Sequence, residues 1–334
     1  MPKKGRPRFG SMGVWPRKKA KRPYARIRSA PSSKEAKPLA FPAYKAGMTH
    51  IIVRSKDNTP KKADINVSMP VTILECPPIR IAGVRLYKKK GTGIVVDKQL
   101  NFKAEKHLAR KTLQPKDKEK YAKPEDLDKL NPDDYEDITI QIYTNPKLIG
   151  LKKTPELFEV KLGGNNKEKI EYIKNHYDKN ILVTDLFKEG QVIDTHAITK
   201  GYGTQGPVRR FGIGLKNHKS EKGRRKPGTL GGWIAQAHYM YRVAYAGQTG
   251  YHQRVQYNNP LIKISDKPEE INPKGGFVRY GEIKTSYVLV KGSIPGPKKR
   301  MITLSQPVRP PEKQKKVFTS GSIRHISLES KQGR

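Results

Sequence analysis

Residues Gly201–Gly206 read GYGTQG, which fits G-x-G-x-x-G, and a carboxylate, Glu221, lies twenty residues beyond Gly201. After an apparent strand, that spacing is a dinucleotide fingerprint. Glycines let the backbone approach a pyrophosphate at a helix N-terminus, and the acid takes a ribose hydroxyl. The context fails it. An apolar-faced helix must follow, whereas PVRRFGIGLKNHK puts Gly212 and Gly214 where they break one. The segment reads better as a tight cationic turn close to a phosphate backbone. Other chemistries lack their parts. The eight histidines form no H-E-x-x-H and no close pair, and His238 and His252 have no partners at metal-ligand spacing. No G-x-S-x-G occurs. The carboxylate pairs Asp133-Asp134 and Glu269-Glu270 are adjacent in polar stretches, which sets no acid against a base. The expectation is therefore no enzyme, no cofactor and no metal.

The basic clusters offer a different chemistry. Arg209-Arg210, Arg224-Arg225-Lys226 and Lys298-Lys299-Arg300 each suit phosphate, and arginine forks also stack on bases and pair bidentately. Aromatics lie among them: Phe211, Trp233, Tyr239, Tyr241, Tyr245 and Tyr251. Cations fix position on a nucleic-acid backbone while flat rings meet unstacked bases. Packing against a sheet is the other reading, above all for Tyr245 and Tyr251. Trp233 is one of two tryptophans, and it follows a basic run and Gly231-Gly232 with no strand or helix pattern before it. That position favours a contact with a partner over a core.

The whole chain has the same bias. Its 334 residues carry a formal net charge of +39. Such self-repulsion destabilises a compact protein alone, and a polyanion removes it while releasing condensed counterions. No run of about 18 apolar residues and no basic amphipathic helix suggests a membrane instead. The single cysteine, Cys76, excludes a disulfide framework and sits in the apolar run VTILECPP, as a small core residue would. The N-terminus has basic residues but no apolar segment after them, so a cytosolic protein is expected.

The elements that must position these groups fall into distinct textures. Residues 1–38 hold thirteen Lys/Arg and one acid, Glu35, without periodicity. They should be disordered alone and ordered along a nucleic acid, with Phe9, Trp15 and Tyr24 interleaved as stacking groups. From Phe41, the stretches THIIVRS, PVTILEC and IRIAGVRLY read as strands, as do ILVTDLFKEGQVIDTHAIT, NPLIKIS, KTSYVLVKGS and KKRMITLS. One antiparallel sheet or barrel assembled from distant pieces (39–90 with 181–200 and 260–306) is the simplest account. Residues 91–180 form an inserted α+β lobe: AEKHLARKTL, PEDLDKL and NKEKIEYIKNHY have helical spacing around the strand ITIQIYT. Residues 199–263 hold twelve Lys/Arg, eleven Gly and one acid, so 201–259 reads as a long loop folded by its partner. A tail, 307–334, ends the chain.

Several of these strings resemble the archaeal and eukaryotic members of the universal large-subunit ribosomal protein L3 family. FPAYKAGMTHI and TILECPPIRIAGVRLY are similar to the family's first strands. DLFKEGQVIDTHAITKGYGTQG is similar to the strand entering its long loop, and GTLGGWIAQAHYMYRVAYAGQTGYHQR to the loop's tip and return. GGFVRYGEIKTSYVLVKGSIPGPKKRMITL resembles the closing strands. The length suits an archaeal member. Thr204, where the family commonly has an aromatic, and Glu221, in a usually basic stretch, depart from the pattern.

The resemblance implies a mainly β fold with an α+β insertion. It would comprise a translation-factor-like six-stranded β-barrel, a long basic loop and a basic N-terminal extension. It implies a cytoplasmic, structural protein of the large ribosomal subunit that binds rRNA near its 3′ end and nucleates assembly. The loop would reach toward the peptidyl transferase centre with Trp233 at its tip. Partners would be large-subunit rRNA and neighbouring ribosomal proteins, with no membrane and no homo-oligomer. The expected rRNA contacts are Arg6, Arg8, Trp15, Arg17, Lys18 and Lys19 in the extension. In the loop they are Lys200, Arg209, Arg210, His218, Arg224, Arg225, Lys226, Trp233, Arg242, Gln248, Tyr251, His252 and Arg254, with Lys298, Lys299 and Arg300 beyond it. Two rivals remain at this stage: an RNA-modifying enzyme that uses GYGTQG for a nucleotide cofactor, and a DNA-architectural protein.

Overall fold

The computed structural model describes residues 14–27, 29–54, 66–115, 117, 120–228, 243–310 and 322–329. The strands are β1 (Ala40–Arg54), β2 (Asn66–Glu75), β3 (Ile79–Lys90), β4 (Gly93–Asn101), β5 (Asp137–Thr144) and β6 (Leu157–Lys161), then β7 (Val192–Ile198), β8 (Gly201–Gln205) and β9 (Gly247–Gly250). β10 (Gln253–Ser265), β11 (Tyr287–Lys291), β12 (Met301–Ser305) and β13 (Ile323–Ile326) complete the order. The fold is mainly β, with helices α1 (Asn166–His176), α2 (Val183–Leu186) and α3 (Pro207–Phe211).

Seven strands pair in the order β12-β7-β10-β11-β2-β1-β13, and β1 pairs with β12 as well. β1 does so by dividing its length: Ala40–Tyr44 run against Met301–Ser305, and Ile51–Val53 run against β13. A register shift between Lys45 and Gly47 bends it between these partners. Gly47 packs closely there: a Cβ would stand 3.0 Å from the Phe277 ring, which would have to shift. Pieces distant in sequence share this sheet, and β13 of the tail joins them, but Val183–Leu186, in a stretch read as strand, is helix α2.

Ile79–Lys90 is a correction. It was expected among the strands of 39–90, but it pairs with β4 and β5 in a separate sheet ordered β4-β3-β5-β6. Pro77 and Pro78, which have no N–H to give a ladder, interrupt the run between the two sheets. Pattern alone cannot assign two adjacent apolar runs to different sheets. One apolar core, with Phe41, Tyr44, Leu74, Ile79, Val84, Ile138 and Ile140, nevertheless serves both. Cys76 lies buried in it as a free thiol, its pKa pushed well up by burial.

Of the expected helices in the inserted segment, only NKEKIEYIKNHY is α-helical. The Glu168 carboxylate accepts from Asn165 N–H at 3.1 Å as a cap, and Ile170 and Ile173 are buried. AEKHLARKTL and PEDLDKL yield only 3-10 turns, Lys106–Arg110 and Pro124–Leu127. Each buries a single leucine, too little apolar contact to offset the cost of helix nucleation.

The chain divides into two compact units. One takes its described residues from 1–23 and 198–253, the other from 24–197 and 254–334.

Candidate nucleic-acid interface

The smaller unit is built on the β8–β9 hairpin, in which Thr204 faces Gln248. GYGTQG is thus a strand, not the expected tight turn. Pro207 then starts α3, and Gly212 stops it in the left-handed conformation after five residues. At the root, Tyr251 N–H donates to Lys200 O at 3.2 Å and Thr199 N–H to His252 O at 3.0 Å. Gly250 has a φ of +70°, and a Cβ there would stand 2.0 Å from Lys200 O. Only glycine lets the two chains close here.

The described N-terminal segment is fixed to this hairpin. Ala20 N–H donates to Tyr251 O at 2.9 Å, and the His252 ring Nδ1 lies 2.9 Å from Lys18 O. Trp15 meets Phe211 with ring centroids 5.9 Å apart. The Arg17 guanidinium lies 4.2 Å from the Phe211 ring centre and that of Arg210 5.0 Å away. Arg17 Nη1 donates to Arg210 O at 3.0 Å. Arg210 turns inward, donating from Nε to Gln248 O at 3.1 Å and from Nη1 to Tyr245 O at 3.0 Å. Gly247 makes room for it, since a Cβ would sit 3.1 Å from the guanidinium carbon. Burial lowers the pKa of both arginines, and for Arg210 the charge of Arg17 adds to the effect. Both remain cations at neutral pH.

Arg209, next in sequence, points elsewhere: its guanidinium covers the exposed Tyr202 ring at 4.4 Å. Lys200 reaches the same ring at 5.9 Å, and Lys19 lies 6.0 Å from Tyr251. Beyond α3 the chain doubles back, Lys216 N–H donating to Arg224 O at 3.1 Å and Arg224 Nε to Lys216 O at 3.3 Å. His218, Arg224, Arg225 and Lys226 are all exposed on this excursion. Glu221 is exposed too and makes no ion pair among the described residues. The described residues of this unit carry fourteen Lys/Arg against that one acid.

The structure therefore brings together Trp15, Arg17, Lys18, Lys19, Lys200, Arg209, Arg210, His218, Arg224, Arg225, Lys226, Gln248, Tyr251 and His252. Some of them serve inside the protein: His252 is buried, and Gln248 donates to Gly250 O at 2.9 Å. Arg254, half-buried, and Lys298–Arg300 belong to the larger unit. There Lys298 Nζ donates to Val278 O at 3.0 Å, with its pKa lowered by burial and by Arg279. Lys45 holds that loop from below, donating to Ile294 O at 2.5 Å and Gly296 O at 3.2 Å. Arg6, Arg8, Trp233 and Arg242 lie outside the described residues, as do Phe9, Tyr239 and Tyr241. Two aromatics expected to meet bases are internal instead. Phe211 is buried beneath the arginines, and Tyr24 is buried with its hydroxyl donating to Leu157 O at 2.9 Å.

A profile of the family Ribosomal protein L3 matches residues 1–333. The chain belongs to the ribosomal protein L3 family. The large ribosomal subunit protein uL3 of Methanococcus aeolicus is 44% identical, covering 99% of each chain. That of Nanoarchaeum equitans is 42% identical over 99% of this chain and 100% of its own, and that of Methanocaldococcus jannaschii 41% over 98% of both. L3 proteins are structural ribosomal proteins, not enzymes. Within this L3-family chain, sequence reasoning missed Tyr202 as a platform for Arg209 and Gly247 as the space for Arg210. No periodicity could have found either, since both depend on the hairpin register.

Proposed function

We propose that this chain is a structural constituent of the large ribosomal subunit and a primary binder of its rRNA near the 3′ end. The observation that carries this is the smaller unit, with fourteen cations against one acid on a backbone whose arginines are set by rings and carbonyls. Side chains held this way lose little freedom on meeting phosphate, and counterion release supplies the binding energy. Arg224, Arg225 and Lys226 screen phosphates around the loop. Trp233 acts as the stacking wedge at the tip, directed toward the peptidyl transferase centre. The β1–β12 pairing, which returns the strand order to its start, supports a closed six-stranded barrel as the docking body. The inserted lobe lies toward the outside, and the chain works as one copy among rRNA and neighbouring proteins in the cytoplasm.

Washing large subunits at high salt tests this reading. Stoichiometric retention of the chain is expected, because RNA folded around an integral protein holds it when screened surface contacts fail. Release into the supernatant would make it a transient factor and contradict the proposal.

A further inference from the structure

The β3–β4 hairpin outruns its sheet. β3 pairs with β5 only as far as Tyr87 opposite Asp137, whereas its pairing with β4 continues through Lys88–Val95, Lys89–Ile94 and Lys90–Gly93. A register shift between Leu86 and Tyr87 marks where this two-stranded ribbon leaves the sheet. On its other side β4 ends the strand order β4-β3-β5-β6, so no described strand pairs with its outer edge. Toward the end of β4, Asn101 O accepts from Ala122 N–H at 2.9 Å, which leaves residues 93–98 as the open stretch.

That stretch has the wrong composition for a solvated edge. Ile94 is 57% exposed, Val95 40% and Val96 45%. Side chains alternate faces along a strand, so Ile94 and Val96 share one face with Tyr87 and Lys89, and Val95 shares the other with Lys88 and Lys90. The ribbon is thus apolar on β4 and cationic on β3. Its three lysines are exposed, and among the described residues only Lys90 meets an acid, Asp97 at 3.6 Å. Edge strands are ordinarily protected by charge or proline, and residues 93–96, GIVV, carry neither. A two-stranded ribbon without a further strand or a packed face is also marginal in water.

We propose that the outer edge of β4 receives an extended segment of a neighbouring protein as a fifth strand of this sheet, a segment that alternates β-branched and acidic residues. Main-chain hydrogen bonds hold it. Its aliphatic side chains cover Ile94 and Val96 on one face. On the other its acids reach past Val95 toward Lys88 and Lys90, and Gly93, opposite Lys90, puts no side chain in the way. Branched aliphatic groups offer RNA neither a ring for bases nor a donor for phosphate. A second copy would bring three more lysines to the same ribbon. The proposal rests on the chain's being a subunit constituent, which supplies the protein neighbours.

Hydrogen exchange of the full-length protein tests it, at a salt concentration that suppresses adhesion to basic surfaces. A saturating peptide of alternating valine and glutamate should slow exchange of the amides in residues 93–98 at least about threefold. The same peptide N-methylated throughout, equal in charge but unable to pair as a strand, should leave them unchanged. Replacing Ile94 and Val96 together with Lys should abolish the slowing, while the β5 amides stay protected and show the sheet intact. No slowing, equal slowing by both peptides, or slowing that survives in the lysine variant would overturn the proposal. So would slowing by single-stranded oligouridylate equal to or greater than that by the peptide, which would give the ribbon to RNA. None of these outcomes alters retention on salt-washed subunits, so the two readings fail separately.

Discussion

Arg209 and Arg210 are adjacent and chemically identical, yet the fold gives them different tasks. Arg209 lies on an exposed tyrosine with its edge free to face phosphate. Arg210 is spent on the protein, joining α3 to the β9 side through Gln248 O and Tyr245 O and forming part of the seat for Trp15 and Arg17. Arg210→Ala should therefore free the N-terminal segment more than it weakens direct contact with RNA. Tryptic cleavage after Lys18 and Lys19 should become faster than in the wild type; unchanged cleavage would show that the cluster does not hold the segment. A second residue contributes to the pH response. His196 is buried, with Nε2 2.9 Å from Ser305 Oγ. Burial lowers its pKa below the ordinary 6.5, against an opposing pull from Asp194. Below 6.5 the unfolded histidine binds a proton that the folded one refuses, so stability falls as pH drops until the folded value is reached. Between about pH 7.5 and 5.5 the wild type should lose more melting temperature than His196→Gln. An equal loss would mean the imidazole is not the titrating group. The sequence displayed the basic pairs at once, but not which member faces solvent, because that follows from the hairpin register and from Gly247.

At the element scale, the smaller unit hangs on its hairpin root. Gly250→Ala puts a Cβ against Lys200 O in a backbone conformation that alanine resists. The conformation alone costs on the order of 1–3 kcal/mol. The Tyr251 amide, which donates to Lys200 O, should exchange with solvent faster in this variant, while the core amides of β2 and β11 stay protected. Equal protection would place the anchor elsewhere. Apolar runs made the strands legible: β1, β2, β5, β7, β10, β11 and β12 all lie where the β-branched stretches stand. Their grouping was less legible. β3 reads like its neighbours and joins another sheet, and the short β8 and β9 have too few apolar residues to declare themselves. Charge-paired helical spacing also overstated the helices, because AEKHLARKTL lacks an apolar face that could bury more than Leu108.

Across the whole molecule, apolar core and acidic residues both concentrate in the larger unit. The larger unit holds the apolar clusters, while the described part of the smaller unit has fourteen cations and Phe211 as its one buried large apolar side chain besides Ile198. On the proposed reading, rRNA that neutralises these cations also stabilises the unit, and composition is where that expectation begins. The central claim is that these cations neutralise rRNA phosphates, and its direct measure is the salt dependence of rRNA affinity. Replacing Arg224, Arg225 and Lys226 together with Gln should flatten the slope of log affinity against log salt by up to about two units, for three contacts of single-strand character. An unchanged slope would remove this exposed loop from the phosphate contacts and contradict the account.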